Sequence, residues 1–228
     1  MRAAHWPDVE AGPRRLLVVP LGSLEQHGPH LPLDTDTRIA AAVAERACAR
    51  RAGVALAPPV AIGASGEHAD FPGTLSIGTA ALTLVLVELG RHASLHWPAM
   101  LLVNGHGGNA AAIGDAARQL RAEGRQCHVW HTGAALPGCD AHAGRTETSV
   151  LLALAPGDVR LAAAAPGETR PVTAIMPELR ARGVRAVSPN GVLGDPTGAS
   201  AAEGERLLGL LADGLAGTLD KLLAVGSA

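Results

Sequence analysis

The feature that most constrains this chain is the unbroken apolar run Leu16-Leu17-Val18-Val19-Pro20-Leu21, closed at once by Gly22. A run without polar alternation reads as a strand covered on both faces, and such strands lie inside parallel sheets whose crossover helices blanket each side. Leu16–Leu21 is therefore expected at the centre of a sheet. Met100-Leu101-Leu102-Val103 repeats the pattern and ends in Asn104-Gly105-His106-Gly107-Gly108-Asn109. In open α/β sheets the ligand crevice lies beyond the carboxyl ends of the strands. The polar clusters that follow the two runs can thus face one crevice despite their separation in sequence.

The remaining pattern alternates helix and strand. Ile39, Val43 and Ala47 recur at helical spacing and predict a helix over 37–51 capped by Thr35 or Asp36. Val54 to Val60 reads as a strand, 79–96 as a helix closed by Pro98, and 110–123 as a helix ending at Gly124. Gln126 to His131 reads as a strand, 147–154 as a helix, and 202–223 as a helix interrupted by glycine. Residues 63–78 are too rich in glycine for a regular element and are expected to border a site. The segment Pro166 to Gly198, rich in Pro and Gly, reads as a lid or an oligomer contact. With no internal repeat or linker, the expected architecture is α/β: one layered domain over residues 1–228, with a mostly parallel central sheet flanked by helices.

Composition narrows the function. Of 228 residues 47% are hydrophobic, enough for a sizeable core, and with 2% aromatics and no Tyr that core must be built from Leu, Val, Ile and Ala. The formal net charge is −2 and the basic residues are scattered, which points away from nucleic acid and membrane surfaces and toward a small molecule or peptide. The first residues lack the apolar stretch of a signal peptide, and no apolar run is long enough to span a bilayer. Cys48, Cys127 and Cys139 form an odd set without close pairing, as in a reducing compartment, so the cytoplasm is the expected location. Cys139 reads as a buried bystander thiol.

The chemistry concentrates in a few acids and imidazoles. Glu25 and His27 flank one residue just past a strand, and extended backbone there directs both side chains to the same side, as two ligands on adjacent metals require. Asp36 can bridge two divalent ions through its two oxygens, with Asp34 as the competing candidate. His106 offers imidazole among glycines that let a metal and substrate approach the backbone. Glu147 offers a further carboxylate five residues after His142. Carboxylates and imidazoles without thiolate favour zinc, manganese or ferrous iron over a structural cysteine site.

Blander readings stand beside these. Glu-x-His after a strand is often a surface turn. The glycines around His106 suit an anion-cradling loop, although the Lys and Ser or Thr of a phosphate loop are absent. His142 can be a polar residue flanking a helix, and His68 a loop histidine. Arg145 can bind a substrate carboxylate, or simply pair with a glutamate. A protein that holds a structural metal or anion without turnover is the non-enzymatic alternative.

The stretch Val19 to Asp36, with Gly22-Ser23-Leu24-Glu25-Gln26-His27-Gly28 at its heart, resembles the signature of the creatininase family. Asn104 to Asn109 resembles that family's second motif, and Asp140-Ala141-His142-Ala143-Gly144-Arg145-Thr146-Glu147-Thr148-Ser149 its third. The resemblance implies a creatininase-like amide hydrolase holding two divalent ions, with Glu25, His27, Asp36 and His106 as ligands, Asp36 bridging, and His142 catalytic. One departure stands out. Creatinine-hydrolysing members carry Glu two residues after the second-motif histidine, where this chain has Gly108, so Glu147 is the expected replacement. Residues 63–78 and 183–205 resemble a peptidase branch of the family. That likeness implies removal of a C-terminal Val-Tyr dipeptide from a modified precursor peptide of a redox cofactor, by a homo-oligomer. Hydrolysis of a formamide or cyclic amide is the alternative substrate reading.

Overall fold

The computed structural model describes residues 4–49, 51–136 and 138–225. Four parallel strands, β1 (Leu16–Leu21), β2 (Val54–Leu56), β3 (Ala99–Asn104) and β4 (Gln126–His131), form one sheet in the order β2-β1-β3-β4. β1 is buried along its whole length and pairs on both edges, as its uninterrupted apolar run requires. The expected strand 54–60 is shorter. Beyond Leu56 the N–H groups of Ala57 and Val60 still donate to the carbonyls of Val18 and Pro20, but Pro58 and Pro59 between them lack the N–H groups to continue a ladder.

The helices are α1 (Trp6–Ala11), α2 (Thr35–Cys48), α3 (Gly78–Ala93), α4 (Ala110–Ala122), α5 (Thr132–Ala135), α6 (Arg145–Leu154), α7 (Val172–Val187) and α8 (Ala201–Val225). Alternate strand residues sort them into two layers. Leu16, Val18, Leu101 and Val103 pack with Val43 of α2, Leu151 of α6 and Leu208 and Leu215 of α8. Leu17, Val19, Met100 and Leu102 pack on the other face with Leu82 and Leu86 of α3 and Ile113 and Leu120 of α4. The core is thus aliphatic, as a chain with so few aromatics demands. Among the described residues no helix is long and apolar enough to cross a membrane.

Within Pro166–Gly198 lies α7, which tolerates Pro177 and turns at Gly183, where φ is +74°. Two expectations need correction. α2 begins at Thr35, so Asp36 lies inside its first turn and is not its cap. Cys139 is exposed, not buried. A smaller difference is α8, which runs unbroken through its glycines.

Candidate metal centre

Leu21 and Asn104 are neighbours at the carboxyl ends of β1 and β3, so the segments that follow them leave the sheet side by side. Asn109 ties the two together. Its Nδ2 donates to the carbonyl of Gly22 at 2.9 Å, and its Oδ1 accepts from the N–H of Ala64 at 2.8 Å, which draws in the 63–78 loop as well. The third motif is anchored by an antiparallel bridge between His142 and Leu193, and α6 then places Glu147 in its first turn.

These connections gather Glu25, His27, Asp36, His106, His142 and Glu147 into one largely buried cluster. Asp36 is central. Its Oδ1 lies 3.1 Å from His27 Nε2, its Oδ2 lies 3.1 Å from His106 Nδ1, and Ser23 Oγ donates to Oδ2 at 2.9 Å. Glu147 Oε2 lies 3.9 Å from His27 Nε2 and accepts a 2.6 Å hydrogen bond from the N–H of Ala143, a buried residue with φ of +52°. Three groups of side chains converge closely enough to hold an ion: Glu25 with Asp36 and His106, His27 with Asp36 and Glu147, and Glu25 with His27 and His142. Two of these share Asp36.

Glu25 gives the clearest sign that a cation belongs here. It is fully buried, and neither of its carboxylate oxygens has a hydrogen-bond partner. The rings of His106 and His68 approach to 3.2 and 3.3 Å, but neither is aligned to donate. An ionised carboxylate so placed costs several kcal/mol unless a positive charge neutralises it. The donor set of carboxylates and imidazoles suits a divalent ion of the zinc or manganese kind.

The imidazoles of the cluster respond to the same carboxylates through their protons. Burial pushes His27 toward neutrality, but Asp36, Glu147 and Glu25 overcome it and raise its pKa to about 10. His106 behaves likewise: burial is outweighed by Glu25 and Asp36, and its pKa rises well above the usual value. Burial also opposes ionisation of Asp36, yet the neighbouring His27 and His106 hold its carboxyl well below the usual range. Glu147 is pushed up to about 7, chiefly by burial. His142 falls well below the ordinary value through burial and the charges of His27 and His68.

The surroundings of His142 define its proton. Its Nε2 lies 2.8 Å from the main-chain carbonyl of Gln26 and 3.0 Å from the side-chain amide nitrogen of the same residue; with both hydrogens of that amide directed to His68 and Gly191, Nε2 carries a hydrogen and donates it to the carbonyl. Nδ1 then keeps its lone pair and faces Glu25 Oε1 at 3.8 Å. The Gln26 amide is oriented by the N–H of Gly28, which donates to Oε1, leaving its Nε2 to donate to His68 Nδ1 at 2.9 Å and to the carbonyl of Gly191 at 3.0 Å.

His68 therefore belongs to the cluster and is not merely a loop histidine; it is buried, and its ring lies 4.6 Å from that of His142. Gln26 was missed by sequence reasoning, and His68 was left open as a loop histidine. Their only signal was proximity, Gln26 between two candidate ligands and His68 in the loop expected to border the site. Arg145 stands apart from the cluster, its Nε 2.7 Å from Glu203. Asp34 also stands apart, paired with Arg38 at 2.8 Å.

A parallel α/β sheet with a buried carboxylate–imidazole centre at its carboxyl edge defines the class: a metal-dependent hydrolase. Within that class the chain belongs to the creatininase family, whose model, described as creatinine amidohydrolase, matches residues 2–219. The mycofactocin precursor peptide peptidase of Mycolicibacterium smegmatis is 56% identical over 207 residues, covering 88% of this chain and 83% of the relative. A tryptophan-to-phenylalanine mutant creatininase superposes with a TM-score of 0.80 at 28% identity, covering 97% of each chain. A glutamate-to-glutamine mutant creatininase of Zn-Zn type gives 0.77 at 27% identity over 97% of this chain and 96% of that one.

Proposed function

We propose that this chain is a dimetal peptidase that removes a C-terminal Val-Tyr dipeptide from a modified mycofactocin precursor peptide. The observation that carries the substrate is the 56% identity to a peptidase of that name over most of both chains. Support for two ions comes from Asp36, shared between two convergent ligand groups. In this reading Glu25, Asp36 and His106 hold one ion, and His27, Asp36 and Glu147 hold the other, each being zinc, iron or manganese. Bound ions supply Lewis-acid chemistry, polarising the amide carbonyl and making water a nucleophile near neutral pH.

The chain's own residues do the rest. His27 presents Nε2 to the centre because its Nδ1 faces the Glu25 carbonyl at 3.1 Å, an outer hydrogen bond that fixes the ring. Gln26 and its carbonyl hold His142 with Nε2 protonated, so proton traffic passes through Nδ1. There His142 accepts a proton and returns it to the departing amine. Arg145 is retained only as a weak candidate for the substrate carboxylate, since Glu203 already engages it. The same reading makes the chain one domain over residues 1–228 and a cytoplasmic homo-oligomer.

The test is mass spectrometry of the products formed by metal-loaded protein from the modified precursor peptide, with creatinine and formamide substrates in parallel. Release of Val-Tyr from the peptide alone is the expected result. Turnover of a formamide or cyclic amide with the peptide left intact would refute the peptidase reading.

A further inference from the structure

Glu67 lies beside this centre but in none of the three groups able to hold an ion. It sits on the single 3-10 turn Gly66–His68, next to His68, and keeps a third of its side chain exposed. Its Oε1 lies 3.6 Å from His106 Nε2. The space it uses exists because residue 108 is glycine: a Cβ there would overlap Glu67 Oε1, His106 Nε2 and the carbonyl of Ala64 together. The turn is also held from outside. α7 packs on it, and at Gly183 a Cβ would stand 3.0 Å from the Glu67 carbonyl. Two distant glycines thus admit the side chain and the backbone of one residue.

We propose that Glu67 is a positioning residue of the metal centre that acts through His106. Nε2 of that ring faces Glu25 Oε2 at 3.2 Å and the Ala64 carbonyl at 3.1 Å, while Nδ1 faces Asp36. The Nε2 proton has the Ala64 carbonyl within hydrogen-bond distance, and the Glu67 carboxylate at 3.6 Å stands next to it as a charged neighbour and not as a second hydrogen-bond acceptor. A carboxylate beside the outer nitrogen of a ligating histidine fixes the ring and strengthens it as a donor. Glu67 lies beside His106, whereas His142 lies beside His27, their rings tilted with centroids 4.3 Å apart. The inference rests on the metal-centre reading and not on any particular substrate.

The experiment uses cobalt(II) as probe and the near-isosteric variant Glu67→Gln. Loss of an outer partner of this kind weakens metal affinity by about 10- to 100-fold. We expect that loss in competition with a chromophoric chelator, with a changed visible spectrum of the cobalt protein and metal-free melting unchanged. Cobalt affinity and spectrum equal to those of the unmodified protein would overturn the proposal. A variant whose metal-free form melts lower by as much as its loaded form would overturn it too, by making the residue structural. If the unmodified protein takes up no cobalt, the metal-centre reading itself fails, and this inference with it.

Discussion

Metal uptake by this protein should expel protons, and the number follows from the cluster. Within the cluster His27 has each ring nitrogen against an acceptor, Asp36 Oδ1 and the Glu25 carbonyl, and His106 lies between Asp36 and Glu25. Both rings are held as imidazolium, His27 with a pKa of about 10 and His106 well above its usual value. Each must lose a proton before it can bind an ion. Glu147, at about 7, contributes a further fraction near neutrality. Filling the centre at pH 7 should therefore release about two to three protons. With two protons displaced, the combined affinity should rise about 100-fold per pH unit, or roughly 10⁴-fold from pH 6 to 8, which is about 5.5 kcal/mol at ~1.4 kcal/mol per decade.

The sign is opposite for the empty fold. A raised histidine pKa contributes stability fully present below about 6.5 that is lost as pH climbs toward the folded value, so chelated protein should weaken across the window in which loaded protein gains. Calorimetric titration with zinc in buffers of different ionisation enthalpy counts the protons directly. Release of fewer than one proton at pH 7 would refute the reasoning, because it would mean that the rings are neutral before metal arrives. Asp36→Ala serves as the control: it removes the acceptor common to both rings and should abolish binding of the ion pair, whereas Asp34→Ala should leave metal content intact.

Two further outcomes probe chemistry and packing separately. His142→Ala should lower turnover by about 10²- to 10⁴-fold with metal content preserved, as expected for a proton carrier; parallel loss of metal would instead make it a ligand, as its convergence with Glu25 and His27 permits. Gly204→Ala should destabilise the fold, because a Cβ there would overlap the Ser149 carbonyl where α8 packs on α6. Overpacking of this kind costs roughly 1–3 kcal/mol, and at about 2–4 °C per kcal/mol the fall is readable in thermal melts. An unchanged melting temperature would show that the two helices separate without penalty.

How far the site was legible in the sequence depended on whether its parts are local. The apolar runs 16–21 and 100–103 could be read because a strand buried on both faces needs nothing but apolar side chains, and the polar clusters after them inherit their position from the strand ends. Glu25 and His27 were legible for the same local reason, the two-residue period of extended backbone. That period sends Gln26 to the other side, where local reasoning places solvent. Gly191, 165 residues along the chain, in fact covers it, and its carbonyl accepts from the Gln26 amide. His68 was obscured by similar distance: its loop has no period to read, and its partners come from the first and third motifs. α7 was hidden by composition, since Pro177 and Gly183 are helix breakers whose cost is offset by burial of Ile175 and Val184 against Leu193. What eluded local pattern was thus the layer that orients the ligands. The candidate ligands are suggested by residue type and spacing, whereas the groups that set their protons become visible only once distant segments meet.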